Sequence, residues 1–126
     1  MKINLPVTNK RINFGKDVKI ISFTDLKGII TKVNKAFTDI SGYSEEELMG
    51  QPHNIVRHPD MPPAAFALMW ATIKQGKPFM AVVKNRAKTG DYYWVNAFIS
   101  PVFENGEIIG YESVRYPPDQ RDVVRS

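Results

Sequence analysis

Side chains that can hold a charged or aromatic ligand occur close together in the segment Arg57-His58-Pro59-Asp60. A guanidinium can donate two parallel hydrogen bonds to a phosphate, and a neighbouring imidazole can act as a second donor. Prolines before and after this segment exclude a long helix or strand, so Arg57 and His58 are predicted to lie in an irregular loop. The alternative is an ion pair between Arg57 and Asp60 on the surface, which would contribute little to stability.

Three further residues could line the same site. Trp70 lies on the apolar face of a predicted helix, where an indole either stacks on an aromatic ligand or belongs to the core. Asn85 would be a buried amide that needs partners if its strand faces a pocket, and otherwise an amide at a strand edge. Asn34 is either a ligand contact or a plain helix N-cap.

The two histidines allow haem as a less favoured ligand. Haem iron usually takes an axial histidine, but His53 and His58 both lie in an irregular, proline-rich segment, and the long helix predicted after it contains no histidine. His53 remains a candidate cofactor-binding residue.

Catalysis finds little support in the sequence. There is no nucleophile–base pair at motif spacing, no metal-ligand cluster and no phosphate-binding glycine loop. Cysteine is absent, which excludes a thiol nucleophile, a cysteine zinc site and a photochemical cysteine adduct. We therefore expect no enzyme activity and no metal.

The net charge of +4 is concentrated at the N-terminus. Residues 1–20 hold five basic residues and one acidic residue, so the remaining chain is neutral overall. A neutral domain with a basic leader lacks the positively charged surface that binds the phosphates of a nucleic acid, so nucleic acid is not an expected partner. No apolar run of about 18 residues is present. Nothing in the sequence is therefore expected to span a membrane.

The elements that must position these residues follow the order β-β-α-α-α-β-β-β. Strands are predicted over 19–24 and 29–33, followed by one helix capped by Asn34 and a second that starts at the Ser44 capping box. A third helix is predicted over 62–74.

Three strands complete the chain, over 79–87, 92–103 and 108–116, and Asn105-Gly106 is a strong hairpin turn between the last two. This order predicts an α+β fold with one five-stranded antiparallel sheet and the helices packed on one face.

The middle strand of this meander is apolar on both faces. The two sets are Trp94 and Phe98, and Tyr93, Val95 and Ile99. In a sheet that is exposed to water on one face, apolar and polar residues should alternate along each strand. Because this strand is apolar on both faces, the second face should be covered. The candidate covers are the leader through Ile12 and Phe14, a second subunit, or a downstream domain.

Several of these segments together resemble a PAS domain. They are Asn34-Lys-Ala-Phe37, Ile40-Ser41-Gly42-Tyr43-Ser44, Glu46-Glu47-Leu48-Met49-Gly50 and Gly90-Asp91-Tyr92-Tyr93-Trp94. The resemblance divides the chain into a leader over 1–18, a PAS domain over 19–117 and the start of a connector to a downstream signalling module over 118–126.

A narrower resemblance is to the PAS domains of bacterial aerotaxis receptors. It rests on the run from Gly50 to Pro62 and on Met69-Trp70, Val83-Lys84-Asn85-Arg86 and Tyr93-Trp94-Val95. The resemblance implies non-covalently bound FAD, whose redox state is reported to a signalling module. It also implies a cytoplasmic domain that is attached to a membrane only through downstream segments. It implies that Arg57, His58, Asp60 and Trp70 bind the flavin. Phe79 stands where tryptophan is expected in a flavin-binding member.

The rival interpretation is a dimerising or docking module, such as a PAS–PAS homodimer, whose pocket is empty or holds another small molecule. Phe79 and the two-faced apolar sheet favour it.

Overall fold

The computed structural model describes residues 7–118 and contains one antiparallel sheet with three helices beside it. The strands are β1 Ile20–Thr24, β2 Ile30–Val33, β3 Phe79–Arg86, β4 Tyr92–Glu104 and β5 Glu107–Tyr116. The helices are α1 Lys35–Ser41, α2 Glu45–Leu48 and α3 Pro63–Lys74, with a 3-10 turn at His53–Val56. The strands lie in the spatial order β2-β1-β5-β4-β3. The predicted α+β fold is confirmed, and the 3-10 turn is an addition to it.

Local chemistry explains where these elements begin and turn. The Asn34 side chain accepts a hydrogen bond from the Phe37 backbone N–H and caps α1. Ser44 and Glu47 form the predicted capping box at α2, with both reciprocal hydrogen bonds present. Asn105 and Gly106 adopt positive φ angles of 52° and 79°, as the predicted turn between β4 and β5 requires.

One face of α3 is apolar and is directed toward the sheet, but a cavity separates the helix from the sheet. Phe66, Met69, Trp70 and Ile73 follow the helical spacing predicted from the sequence, and all four line a cavity between α3 and the sheet. Ile73 is buried, whereas Leu68 on the opposite side is 61% exposed. The helix therefore forms a wall of the cavity rather than a tightly packed layer.

The leader adds a short backbone pairing to β4. The Tyr92 N–H donates to the Lys10 carbonyl at 2.9 Å, and the Ile12 N–H donates to the Tyr92 carbonyl at 2.7 Å. Ile12 and Phe14 pack against the buried core, where the Phe14 ring meets Tyr93 edge-on with centroids 6.3 Å apart. Residues 8–14 of the leader are thus docked on the folded body, whereas residues 1–6 lie outside the described residues.

Ile12 and Phe14 therefore do not cover the second face of the sheet, which removes the leader from the three candidate covers. Tyr93 shares its face of β4 with Val95 and Ile99, which line the cavity, so the leader packs on the helix side. Trp94 and Phe98 alternate with this set and point to the opposite face. There Phe98 pairs with Met80, which is 60% exposed.

The predicted connector over 118–126 lies outside the described residues, except for Pro118 at its start. Within residues 7–118, no helix is long and apolar enough to cross a membrane. The same residues contain no group of acidic, histidine or cysteine side chains that could hold a metal ion.

Candidate functional site

The principal cavity has a volume of about 370 Å³ and lies between α3, the 3-10 turn and the inner face of the sheet. This volume falls within the range of about 300–1,000 Å³ typical of small-molecule sites. Its apolar walls come from α3 and from Val83, Val95, Ala97 and Ile99 on β3 and β4. Such a space, apolar with a few convergent polar groups, suits a flat aromatic ligand.

Trp70 and Tyr111 form an aromatic corner of this cavity. Their ring centroids are 5.7 Å apart and their planes meet at 84°. Trp70 also lies against the turn between β1 and β2, where a Cβ added at Gly28 would come within 2.9 Å of the indole. Gly28 has a φ angle of 83°, so glycine is required there both by the backbone and by the close approach of Trp70.

The polar floor is built around Arg115 on β5, which is 2% exposed. Its Nη2 donates to the Ser22 Oγ at 2.7 Å, and its Nη1 lies 3.1 Å from the His53 Nε2. The face of the Phe37 ring lies 4.7 Å from its Cζ, a cation–π contact. Burial lowers the pKa of Arg115 to about 10, so the guanidinium stays charged at neutral pH.

His53 is neutral in this arrangement. Burial and the adjacent Arg115 charge together lower the pKa of His53 to about 3. Since Nε2 faces the Arg115 donor, the proton of the neutral ring belongs on Nδ1. The Ser22 hydroxyl lies 2.9 Å from the same Nε2. The three side chains therefore form one connected polar cluster that carries a single positive charge.

Asn85 is a further buried polar residue of the cavity and is 5% exposed. It lines the cavity from β3, next to Tyr93 on β4, with which it pairs. Burial raises the pKa of Tyr93 to about 12, although the Arg115 charge and the nearby Asn85 amide act in the opposite direction. The Tyr93 hydroxyl is buried without a hydrogen bond of standard geometry.

Arg57 lies at the mouth of the cavity. Its guanidinium stacks on the Phe66 ring with Cζ 4.0 Å from the centroid. Its backbone forms an isolated antiparallel bridge with Asn85, which attaches the loop to the outer edge of β3. The cavity therefore brings together four of the residues predicted from the sequence: Arg57, Trp70, Asn85 and His53.

His58 and Asp60 do not line the cavity. His58 is 2% exposed, its ring meets Tyr92 edge-on, and its Nδ1 accepts a hydrogen bond from the Asp60 N–H at 3.0 Å. Asp60 pairs with Lys84, with Nζ and Oδ2 2.9 Å apart. The loop turns around the edge of β3 after Arg57, so these two side chains lie on its far side and hold the loop in place.

Asn34 and Phe79 also lie outside the cavity lining. The Asn34 Oδ1 accepts from the Ile21 and Phe37 N–H groups, and its Nδ2 donates to the Lys19 carbonyl, so its amide is used in joining β1 to α1. Phe79 begins β3 opposite Ile99, six residues before Asn85. It lies on the same face as Asn85, and its cross-strand neighbour Ile99 lines the cavity although Phe79 itself does not.

Sequence reasoning missed Arg115, Ser22 and Tyr111. In the sequence Arg115 follows an ordinary strand pattern near a chain end, where a charged residue is normally solvated. The strand periodicity could have indicated its position. Every second residue of β5 points to the same face, so Arg115 shares a face with Tyr111 and Ser113, and this face lines the cavity.

The fold is an α+β domain with an internal cavity between a helical layer and one face of an antiparallel sheet. The chain matches the family model described as PAS fold over residues 30–115, and it belongs to the PAS family. It is a PAS sensory domain related to those of signal-transduction receptors.

Curated relatives place this domain within longer proteins. The chain is 51% identical to the aerotaxis receptor of Escherichia coli K12 over 118 residues, which are 94% of this chain and 23% of the receptor. It is 33% identical to a nitrogen fixation regulatory protein of Klebsiella pneumoniae over 104 residues, 82% of this chain and 20% of that protein. The chain thus spans less than a quarter of the length of these two relatives.

Solved structures show the same architecture. The light-state structure of the blue-light photoreceptor Aureochrome1 LOV superposes with a TM-score of 0.75 at 20% identity, covering 81% of this chain and 83% of that chain. A likeness at this level of identity establishes the fold and nothing about the ligand.

Proposed function

We propose that this domain binds FAD without a covalent bond and senses redox or oxygen status as the input of a larger aerotaxis-like receptor. The observation that carries the proposal is the cavity itself, with aromatic side chains on one side and a buried polar floor on the other. The 51% identity to an aerotaxis receptor supports this choice of input.

The residues present fit a flavin in their chemistry. The buried Arg115 Nε has no hydrogen-bond partner within the described part of the chain, and the Tyr93 hydroxyl has none of standard geometry. A ring edge with carbonyl and imide groups offers the acceptors and donor that such atoms require. Phe79 is not among the lining residues, so this chain would bind the flavin without the indole that the resemblance leads one to expect there.

Three residues would bind the cofactor directly. Arg57 at the mouth would hold the pyrophosphate through charge-assisted hydrogen bonds. Trp70 would pack against an aromatic ring of the ligand. Asn85 would face a ring edge, where its amide can present either a carbonyl or an NH₂ group. His58 and Asp60 would act indirectly, by holding the loop that carries Arg57.

The bound flavin would supply reversible electron acceptance, and the protein would turn over no substrate. Asn85 lies on β3, and its backbone also bridges to Arg57. A change in the hydrogen bond that its side-chain amide makes would therefore shift the positions of both β3 and the loop that carries Arg57. The domain over 19–117 would pass this bias to a downstream module of a cytoplasmic, membrane-anchored receptor.

The second candidate function is an interaction module without flavin, and haem is a weaker alternative within the same fold. The observation that favours it is the apolar outer face, where Met80 is 60% exposed beside Phe98. Such a face suits a PAS–PAS homodimer. Haem is disfavoured because His53, the histidine that lines the cavity, is already bonded to Arg115 and Ser22.

Purification with absorption spectroscopy tests the proposal. The protein should be yellow and should release FAD on denaturation, identified against FMN by chromatography. A colourless protein that takes up no FAD on reconstitution would refute flavin binding and favour the interaction module.

A further inference from the structure

The sheet ends in two edge strands, β2 and β3, which differ in how they are protected. Strand β2 has four residues and carries Lys32. The backbones of Gly50 and Gln51 cover its outer side at Ile30, with hydrogen bonds of 3.0 and 2.9 Å. A short length, a lysine and a covering loop are common means by which proteins prevent an edge strand from pairing with another chain.

The outer edge of β3 is open over most of its eight residues. Within the described range 7–118, the β-bridge on this side joins Arg57 to Asn85 near the end of the strand, and no backbone hydrogen bond from a loop reaches residues 79–83. These five residues, from Phe79 to Val83, include no charge and no proline, and their pairing with β4 contains no bulge. A strand of this kind is a template for pairing with another strand.

The hairpin at the end of β3 indicates which backbone groups point outward. The Ala87 N–H donates to the Asp91 carbonyl at 2.8 Å and so points toward β4. Because the direction of the backbone groups alternates along a strand, those of Ala81 also point toward β4, whereas those of Met80 and Val82 point away from the sheet. The open edge therefore offers two N–H groups and two carbonyl groups.

Helix α3 adds an uncharged surface to this side of the molecule. The helix carries no charged side chain from Pro63 to Ile73, and the hydroxyl of Thr72 donates to the Leu68 carbonyl at 2.8 Å. A helix that is apolar on all sides is normally buried, yet Leu68 is 61% exposed. The exposed side of α3 consists of Ala64, Ala67, Leu68 and Ala71.

The loop that carries Arg57 shows that this helix and this edge are neighbours. Arg57 bridges to Asn85 on the outer side of β3, and its guanidinium stacks on Phe66 of α3 with Cζ 4.0 Å from the ring centroid. The first half of α3 therefore lies close to the β3 edge. The small residues on its exposed side would allow a second helix to approach to about 8 Å.

A second copy of the chain matches the open edge. If two β3 strands pair antiparallel about a two-fold axis at Ala81, Met80 of each copy lies opposite Val82 of the other, and all the outward groups form hydrogen bonds. An axis at Val82 would instead place Met80 opposite Lys84, whose outer side adjoins the bridged loop. An axis at Met80 would place Val82 opposite Pro78, which has no N–H to donate.

We propose that the open edge of β3 and the exposed side of α3 together form an interface with a second copy of this chain. The two copies pair through β3 about a two-fold axis at Ala81, which joins their sheets into one. Trp94 and Phe98 on the outer face take no part in this contact. The inference does not depend on the flavin, so a colourless protein could still form the dimer.

Charges at the ends of the paired strands are complementary. With the axis at Ala81, Lys77 of one copy lies just beyond the paired segment, beside the loop of the second copy that contains Asp60. Lys77 is exposed, and the Asp60 side chain is 68% exposed while it pairs with Lys84 of its own chain. A carboxylate can accept from a second lysine, so each end of the interface gains an attraction that favours this register.

Sedimentation equilibrium of the whole chain tests the backbone pairing at Val82. Val82→Pro removes the outward N–H and leaves the hydrogen bonds to β4, whereas Val82→Thr, the matched control, keeps the N–H and a β-branched shape. The wild type and Val82→Thr should form the same reversible dimer. The dimer dissociation constant of folded Val82→Pro should rise by about tenfold or more. Equal dimerisation of the two variants overturns the proposal.

Leu68→Lys tests the helix contact without altering the sheet, so it applies even if Val82→Pro does not fold. A lysine there would bring a charge into an apolar contact and should also weaken the dimer about tenfold or more. Leu26→Lys is the matched control, because Leu26 is 51% exposed in the turn between β1 and β2, on the other side of the sheet. If Leu68→Lys dimerises as well as Leu26→Lys, the proposed interface is wrong.

Disulfide crosslinking tests the position of the axis, because the chain contains no cysteine of its own. In the proposed dimer the two Ala81→Cys side chains face each other with Cβ atoms about 5 Å apart, close to the separation found in disulfides. Lys77→Cys is the control, since its two side chains would lie roughly 25 Å apart. Mild oxidation should crosslink Ala81→Cys and leave Lys77→Cys uncrosslinked. Equal crosslinking of both, or of neither, refutes the axis at Ala81.

The same measurements identify the alternatives that would overturn the proposal. A dimer that is lost in Trp94→Ser combined with Phe98→Ser and kept in Val82→Pro forms through the outer face. A monomer at all concentrations whose Met80 and Val82 amides resist hydrogen exchange has this edge covered by its own terminal segments. Open-ended aggregates without a discrete dimer show that the edge pairs without a defined register. Each of these three results excludes the interface proposed for β3 and α3.

Discussion

The backbones of Arg57 and Asn85 form an antiparallel β-bridge. Arg57 at the mouth of the cavity and Asn85 on its floor are therefore held at the same position along β3. Arg57 reaches back over Phe66 on α3, while the Asn85 side chain is buried beneath the cavity. A displacement of β3 at this rung would move both contacts together. The predictions below use this coupling and the packing around it.

Arg57→Ala should weaken FAD retention while leaving the fold intact. Loss of a charge-assisted contact should reduce binding by about 1.5–3 kcal/mol. Equilibrium dialysis of the folded variant checks this, with Lys32→Ala as a control, because Lys32 is an exposed cation on β2 away from the cavity lining. Unchanged retention in Arg57→Ala would rule out the phosphate contact.

Trp70→Ala should lower both flavin binding and stability. The indole packs on Tyr111 and against Gly28, and removing a large packed aromatic side chain costs up to about 3–5 kcal/mol. Trp70 is only partly buried, so the lower end of that range is expected. Urea unfolding measures the loss of stability, and Trp70→Phe should recover much of it. A variant with wild-type stability would contradict this packing role.

Stability should fall as the pH is lowered from 6.5. The pKa of His53 is about 3 in the folded protein and near 6.5 when unfolded, so the unfolded state takes up a proton that the folded state excludes. This contribution is complete above the unfolded pKa and is reduced by about 2 kcal/mol at pH 5. Urea unfolding at pH 7 and pH 5 should show a smaller difference in His53→Gln.

His58→Gln provides the comparison for that experiment. Burial lowers the pKa of His58 as well, so its removal should also flatten the pH dependence. If neither variant changes the difference between pH 7 and pH 5, the histidines do not control the acid sensitivity.

Blue light should not produce a cysteinyl adduct in the flavin-loaded protein. The chain contains no cysteine, so the covalent bond that defines the adduct cannot form. Difference spectra recorded after illumination should lack the adduct band, and its appearance would contradict the assignment of the chromophore environment.

Trp94→Ser combined with Phe98→Ser should reduce self-association and leave FAD retention unchanged. Both side chains point away from the cavity, and burial of an apolar patch contributes about 25 cal/mol per Å². Sedimentation equilibrium measures the association, and Phe103→Ser is the control, because Phe103 is an exposed aromatic near the β4–β5 turn. A wild-type protein that is monomeric at all concentrations, with this face exposed to solvent labelling, would refute a covered outer face.

The sequence predicted the fold well because its local patterns agree with one another. The Ser44–Glu47 capping box, the Asn105-Gly106 turn and the spacing of Phe66, Met69, Trp70 and Ile73 each depend on nearby residues, and each is observed. The 3-10 turn at His53–Val56 was not predicted, because prolines exclude regular elements without specifying what replaces them.

The site was only partly predictable, since it depends on contacts between distant residues. Helical and strand phase placed Trp70 and Asn85 on faces that could line a pocket, and the resemblance to aerotaxis-receptor PAS domains singled out Arg57 and Trp70 as binding candidates. His58 is adjacent to Arg57 in sequence yet faces the other side of β3, a distinction that spacing cannot make. Arg115 joins Ser22 across 93 residues, and only the pairing of β1 with β5 brings them together.

The docked leader has a consequence for the exposed edges of the sheet. Strand β5 ends at Tyr116, opposite Asn96, whereas β4 begins four residues earlier at Tyr92. Since β3 occupies the other side of β4, the backbone of Lys10 and Ile12 fills the position beyond the end of β5. A chain shortened past Ile12 would leave the Tyr92 N–H and carbonyl open to capture by a foreign strand, the usual starting point of domain swapping and aggregation.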